Sequence, residues 1–269
     1  SKYDIDLDLT TKNSLSVIVS RIKQNSNILE FGPSHGRLTG FLNEYMGCKV
    51  SCVELDEEAA QEALQHAQKM IVGDIESLEW EEKIGEDKFD YIIFADVLEH
   101  LRNPTKILKI VQKYLQESGS IIISIPNVAH SAILIDLLQD KFIYKDVGLL
   151  DNTHIKLFTK TTLDTMINEC GLHKFFETSI VKEPEETEFN NSYNELPESV
   201  TSYLKNKPHS NSYQFIVELK TQPCESFISE FELQSKEEID NELKFVQAGK
   251  KLLIIVNMSF EARKIYFFA

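Results

Sequence analysis

Apolar runs and amphipathic segments alternate along the first half of the chain. Residues 10–24 place Leu15, Ile18, Val19 and Ile22 at helical spacing, and a short apolar run, NILEF at 27–31, follows. Spacings of three and four mark one face of a helix, whereas a short unbroken run marks a strand buried on both faces. The same reading predicts strands at 49–54 (KVSCVE), 70–72, 89–95 (FDYIIFA) and 120–125 (SIIISI), with helices at 37–45, 56–69 and 104–115. Strands separated by helices imply right-handed crossovers and a parallel sheet covered on both faces. The expected fold class is therefore α/β, doubly wound and Rossmann-like.

After the fifth strand the rhythm changes. HSAILIDLL predicts a short helix, and the polar, aromatic stretch KFIYKDVGLLDNTHIKLFT then reads as a lid insertion within residues 127–160. A helix at 163–170 resumes the pattern, and HKFFETSIVKE and SYQFIVELKT predict two final strands. Between those strands, residues 183–212 are acidic and asparagine-rich, which predicts a solvated, mobile loop. From Gln222 a charged helical pattern leads into KKLLIIVNMSFEARKIYFFA. The expected organisation is one domain over 1–221 and, over 222–269, a helix-strand appendage or the start of a second domain.

Composition narrows the class. A chain of 269 residues, 42% hydrophobic and 10% aromatic, can bury a sizeable core. Its 43 acidic against 28 basic residues give a net charge of −15. That charge repels phosphate backbones, so no nucleic-acid partner is expected. No run approaches the roughly 18 apolar residues of a membrane span, and SKYDIDLDLTTK lacks a signal-peptide pattern, so a soluble, cytoplasmic protein without membrane insertion is expected. Cys48, Cys52, Cys170 and Cys224 form no C-x-x-C pair, and histidines and carboxylates show no ligand spacing. Reduced thiols and no metal site are the expectation.

The candidate chemistry starts at the end of the first strand. In NILEFGPSHGRL, Glu30 is followed by Gly32 and Gly36, a strand, a tight turn and a helix start. Doubly wound proteins hold ligands at such turns. A nicotinamide dehydrogenase fingerprint, G-x-G-x-x-G, does not fit, because Ser34 and Arg37 occupy its third and sixth positions. Glu54 ends the second strand, Asp74 and Ile75 follow the third, and Ala95 and Asp96 leave the fourth.

In this order, E-x-G-x-x-x-G at 30–36, Glu54 in CVELD, Asp74 in VGDIESL and the segment FDYIIFADVLEHL resemble the class I S-adenosylmethionine-dependent methyltransferases. The one departure in the glycine motif is Ser34, where the family places its middle glycine. The resemblance implies a seven-stranded sheet with a reversed last strand, and S-adenosyl-L-methionine as cofactor with S-adenosyl-L-homocysteine as product. It places Glu30, Gly32 and Gly36 at the cofactor turn and Glu54, beside Leu55, on the ribose hydroxyls. It sets Asp74 and Ile75 at the adenine and Ala95 and Asp96 beside the methionine part. The stretch SIPNVAH, then KFIYKDVGLLDNTHIKLFTKTTL, is similar to a subfamily associated with glycosyltransferases in bacterial surface-polysaccharide synthesis. A sugar or glycan-linked small molecule as substrate, and a glycosyltransferase as partner, are what that likeness implies.

Methyl transfer to a hydroxyl requires alignment, exclusion of water and removal of one proton. Histidine suits the last task near neutral pH. His154 in LLDNTH is the first expected base, with Asp151 three residues before it as the group that orients its ring, and His130 is the second. Asp96, His100 and Asn127 lie on the same expected acceptor side. Two other functions stand beside sugar O-methylation: methylation of a phenol or quinone, and a non-catalytic module of the same fold that recruits or regulates a glycosyltransferase.

Overall fold

The computed structural model describes residues 8–224 and 226–231. In chain order it consists of α1 (Ser14–Arg21), β1 (Asn27–Phe31), α2 (Arg37–Glu44), β2 (Lys49–Glu54), α3 (Glu57–Ala63), β3 (Lys69–Val72) and α4 (Trp80–Ile84). Then come β4 (Phe89–Ala95), α5 (Pro104–Val111), β5 (Leu115–Pro126), α6 (Ser131–Leu138), α7 (Lys160–Glu169), β6 (His173–Val181), α8 (Glu198–Asn206), β7 (Ser212–Lys220) and β8 (Ile228–Glu230). One eight-stranded sheet has the order β3-β2-β1-β4-β5-β7-β6-β8. Strands β1 to β5 are parallel, and β7 runs antiparallel to both β5 and β6.

The α/β expectation holds, with one strand more than the seven expected. Beyond β7, Ile228–Glu230 pairs in parallel with Phe176–Thr178 and covers the open backbone of what would be an edge strand. The remainder of the expected appendage lies outside the described residues.

Local sequence sets the element ends. Asn13 and Ser16 form a reciprocal cap on α1, Asp56 accepts two amides at the start of α3, and Asn103 with Pro104 opens α5. Each cap satisfies amides that a helix start leaves without an internal partner. The predicted helices at 56–69 and 104–115 both end early. Gln68 N–H donates to the Val50 carbonyl and starts β3, while buried Tyr114 closes a 3-10 turn ahead of a twelve-residue β5.

Two apolar layers sandwich the sheet. On one side Phe31 stacks on Phe94 with centroids 4.8 Å apart and meets the edge of Trp80 at 5.0 Å. Trp80, whose helix the sequence pattern did not foretell, donates its indole N–H to the Ile75 carbonyl at 2.9 Å. On the other side α1 and α2 cover Ile28, Val50 and Ile93. Arg21 reaches across that layer to buried Glu218 of β7 at 2.8 Å, and Ser120 of β5 donates to the same carboxylate.

Residues 183–212 correct the sequence reading most. They form two 3-10 turns and α8, with Pro184, Tyr193 and Leu204 buried. Tyr193 and Leu204 pack with Ile135 of α6, so this connection covers the segment after β5. Its Glu188 accepts from Leu149 N–H and, at 2.9 Å, from the Tyr213 hydroxyl, fastening the expected lid to β7.

Candidate active site

The strand order reverses between β1 and β4, and crevices beyond the carboxyl ends of parallel strands at such a reversal hold ligands. The turn after β1 forms one lip. Gly32, Ser34 and Gly36 have φ of 66°, 51° and 80°. Ser34, the departure from the glycine motif, thus keeps the left-handed backbone that a glycine adopts without strain. The two glycines answer to packing as well: a Cβ at Gly32 would lie 2.7 Å from Val97 Cγ2, and one at Gly36 2.7 Å from Ala63 Cα.

The turn is braced by Glu54. Its carboxylate, 8% exposed, accepts Ser34 N–H at 2.9 Å on Oε2 and Asp56 N–H at 3.0 Å on Oε1. A carboxylate offers about four lone-pair positions, so two remain for a ligand diol. Glu30 lies beneath, fully buried, and accepts the Thr39 hydroxyl at 2.7 Å. Burial, partly offset by that hydrogen bond and helped by the Glu54 charge, pushes its pKa up to about 7.

Beside Glu54 the wall is apolar. Leu55 is 68% exposed, Val72 is exposed, and Ile75 opens a 3-10 turn capped by Asp74, whose Oδ1 accepts Glu76 N–H at 2.7 Å. A Cβ at Gly73 would meet nothing within 4 Å, so open space borders this wall. A carboxylate with acceptor capacity to spare beside the exposed side chains of Leu55 and Val72 could hold a polar ligand with an apolar ring.

The other lip is the turn after β4. Asp96, at φ 56°, faces solvent beside half-buried Ala95, and its Oδ1 accepts from Ser124 Oγ at 3.2 Å and from Gln214 of β7. The following 3-10 turn, Leu98–His100, carries Glu99, which is 1% exposed. The Glu99 carbonyl accepts from both Ile155 and Lys156, at 2.8 and 2.9 Å, and so docks that segment of the chain on this turn. Asp151 accepts Thr153 N–H and Oγ1 on its carboxylate and His154 N–H on its carbonyl, making the bend that carries His154 inward.

His154 consequently lies beside Glu99 and His100. Its Nδ1 is 3.2 Å from the Leu149 carbonyl, its Nε2 is 3.9 Å from Glu99 Oε1, and its ring centroid is 4.8 Å from that of His100. His100 Nδ1 in turn lies 3.2 Å from the Thr153 carbonyl. Burial holds the Glu99 carboxyl well above the usual carboxylate range, with the charges of Asp96 and Asp151 adding to the effect. Sequence reasoning passed over Glu99; its place in DVLEHL next to His100 was the available signal.

His130 corrects the list of bases. It is completely buried, its Nδ1 accepts Ala132 N–H at 3.1 Å as the cap of α6, and its Nε2 donates to the Lys182 carbonyl at 2.9 Å. Burial lowers its pKa to about 4. Both nitrogens are engaged in the fold, so His130 is structural. Asn127 is likewise buried, donating to the Ser212 carbonyl and accepting from Ala129 N–H.

A doubly wound sheet with a carboxylate-braced glycine turn at its reversal point defines a nucleotide-type ligand site. The model of the methyltransferase domain family matches residues 7–174, and the chain belongs to that family. It is similar to the ubiquinone biosynthesis O-methyltransferase of Hydrogenovibrio crunogenus, 24% identical over 152 residues, 55% of this chain and 63% of that protein. It also matches the glycine/sarcosine/dimethylglycine N-methyltransferase of Actinopolyspora halophila, 25% identical over 119 residues, 41% of this chain and 20% of that one. The chain thus spans less than two thirds of either curated relative. Among solved structures, the fold matches an S-adenosylmethionine-dependent methyltransferase of Archaeoglobus fulgidus at TM-score 0.55 and 16% identity, over 77% of this chain and 90% of the other. A Thermotoga maritima methyltransferase, described as a possible histamine N-methyltransferase, matches at TM-score 0.53 and 15% identity, over 78% and 88%.

Proposed function

We propose that the protein is an S-adenosyl-L-methionine-dependent O-methyltransferase acting on a hydroxyl of a sugar or glycan-linked small molecule. The observation that carries the cofactor is the Glu54 carboxylate, braced by Ser34 N–H and Asp56 N–H with acceptor capacity to spare at the mouth of the reversal-point crevice. When bound, the cofactor supplies an activated methyl group on a sulfonium, leaving S-adenosyl-L-homocysteine. Glu54 would hold the ribose diol, Leu55 and Ile75 the adenine, Asp74 its amino group, and Ala95 and Asp96 the methionine end. The turn Gly32–Gly36 lets main chain approach the nucleoside over Glu30.

The acceptor lies, in this reading, between Asp96 and the lid, where polar groups from Gln214, His100 and His154 converge. His154, held in place by the Asp151 bend, would accept the proton of the acceptor hydroxyl as that oxygen takes the methyl group the cofactor would supply. A positioned base of this kind contributes about 10²- to 10⁴-fold. The lid, fastened through Glu188, keeps water from the reacting atoms. The polar lining and the resemblance of SIPNVAH and the lid sequence support a saccharide acceptor. A phenolic or quinol acceptor is a second reading, favoured by the likeness to a ubiquinone biosynthesis O-methyltransferase. A glycosyltransferase partner belongs to the same proposal as the saccharide acceptor.

Calorimetry of the whole chain with S-adenosyl-L-homocysteine tests the first part: one molecule should bind per chain, and no binding overturns the reading. Mass analysis of saccharide and catechol acceptors incubated with S-adenosyl-L-methionine then separates the two acceptor classes by which one gains ~14 Da per methyl, the net CH₂ of a methyl group replacing a hydrogen.

A further inference from the structure

The proposed reaction gives Glu99 no task, yet its carboxylate is buried and neither oxygen receives a hydrogen bond from any other described residue. A buried carboxylate without compensation costs several kcal/mol. Two imidazoles stand next to it. His154 Nδ1 and His100 Nδ1 each lie 3.2 Å from a backbone carbonyl, those of Leu149 and Thr153. A carbonyl only accepts, so His154 Nδ1 donates to Leu149 and its Nε2 is the nitrogen on the Glu99 side; His100 Nδ1 also lies 3.2 Å from the Thr153 hydroxyl, which itself donates to Asp151, so this Nδ1 is the donor there too. This is the outer-shell arrangement that fixes metal-binding histidines. One ligating atom from each of Glu99, His100 and His154 lies within 4.8 Å of the others.

We propose that Glu99, His100 and His154 bind one divalent transition-metal cation, Mn²⁺ or Zn²⁺ in kind, on the acceptor side of the crevice. Ligands about 2.1 Å from a common ion stand at most about 4.2 Å apart. The 3.9 Å between His154 Nε2 and Glu99 Oε1 already falls in that range, and a small rotation of one side chain closes the rest. Two imidazoles and a carboxylate suit such ions and leave coordination positions open. The cluster escaped the sequence reading because His154 reaches Glu99 and His100 only through the lid, whose Ile155 and Lys156 amides dock on the Glu99 carbonyl.

The role of the ion rests on the methyltransferase reading above. An acceptor hydroxyl taking an open position has its pKa lowered. The hydroxyl proton leaves to solvent as the acceptor enters and coordinates; the oxygen lone pair then forms the bond to the methyl carbon, and the carbon–sulfur bond breaks with its electrons going to sulfur. His154 then serves as a ligand, and the cation takes over the proton-releasing task.

Chelator-treated whole chain titrated with MnCl₂ and followed by electron paramagnetic resonance tests the site. One Mn²⁺ per chain is expected, with nitrogen couplings from imidazole in the spin-echo spectrum. Glu99→Gln and His154→Gln should each weaken binding by ~10- to 100-fold while S-adenosyl-L-homocysteine still binds as in wild type. No stoichiometric Mn²⁺ binding, no nitrogen coupling, or variants that bind as wild type overturn the inference. Should a variant fail to fold, the wild-type stoichiometry and couplings decide alone. Metal binding lost with nucleoside binding intact sinks only this site; nucleoside binding lost in wild type sinks the reading on which its role rests.

Discussion

Ser34 donates its backbone N–H to Glu54 Oε2 at 2.9 Å, so the side chain expected to grip the nucleoside also holds the turn on which that nucleoside would rest. Replacing Glu54 by Ala removes both functions. Hydrogen bonds to a charged acceptor are worth about 1.5–3 kcal/mol each. Glu54→Ala is therefore expected to weaken S-adenosyl-L-homocysteine binding by at least ~100-fold by calorimetry, and Glu54→Gln by less, since an amide keeps one acceptor oxygen. An unchanged Kd in Glu54→Ala would exclude the proposed nucleoside pose.

Gly36→Ala introduces a methyl group 2.7 Å from Ala63 Cα and Cβ at a φ of 80°. Backbone of α3 stands in its way, so the clash cannot be relieved by a rotamer change. The expected loss is at least ~2 kcal/mol of folding stability, read from urea unfolding.

Ser34→Gly should act in the opposite sense. Ser34 holds φ 51°, where a side chain costs roughly 1 kcal/mol and glycine costs none. The looser unfolded chain of the glycine variant offsets part of that gain. A rise in Tm of a few degrees, at about 0–1 kcal/mol, is expected from calorimetric melting; a fall would mean that the hydroxyl or Cβ makes a contact worth more than the strain.

Acid stability should report His130. Its folded pKa of about 4 lies below the unfolded value of 6.5, so between these values the unfolded chain binds more protons than the folded one. Stability is then highest above pH 6.5 and falls as pH drops toward 4, by about 3 kcal/mol from this residue. Denaturant midpoints measured from pH 7.5 to 4 should decline in wild type. A variant lacking this imidazole, His130→Asn, should be less stable at pH 7.5 and show a shallower decline.

Glu188→Ala frees Leu149 N–H and the Tyr213 hydroxyl from their shared acceptor. Limited proteolysis should cut residues 141–157 several-fold faster, in keeping with about 1–3 kcal/mol of lost hydrogen bonding. The sheet should keep its circular-dichroism spectrum, because no strand pairing depends on Glu188.

Much of the frame could be read from the chain because its central strands are buried on both faces. Asn27–Phe31, Lys49–Glu54 and Phe89–Ala95 are short, mainly apolar runs bounded by turns, and the structure reproduces them residue for residue. The turn residues after them were legible for the same reason, since Gly32, Gly36, Glu54 and Asp96 sit where strands end. Residues 183–212 were misread because α8 buries little of itself: of its nine residues only Leu204 is buried, so polarity concealed a packed helix. His130 was misread because a histidine that caps a helix and one that takes a proton look alike in one dimension. Glu99 was missed since its neighbours of consequence are remote in the chain.

The main-chain oxygen of Glu99 takes two amides from the very segment that brings His154 to its side chain. Any swing of that segment wide enough to admit a bulky acceptor would break both latches and pull the imidazole away from the carboxylate together. The proposed catalytic end of the crevice would thus disarm itself whenever it stood open to water, and rearm only around cargo.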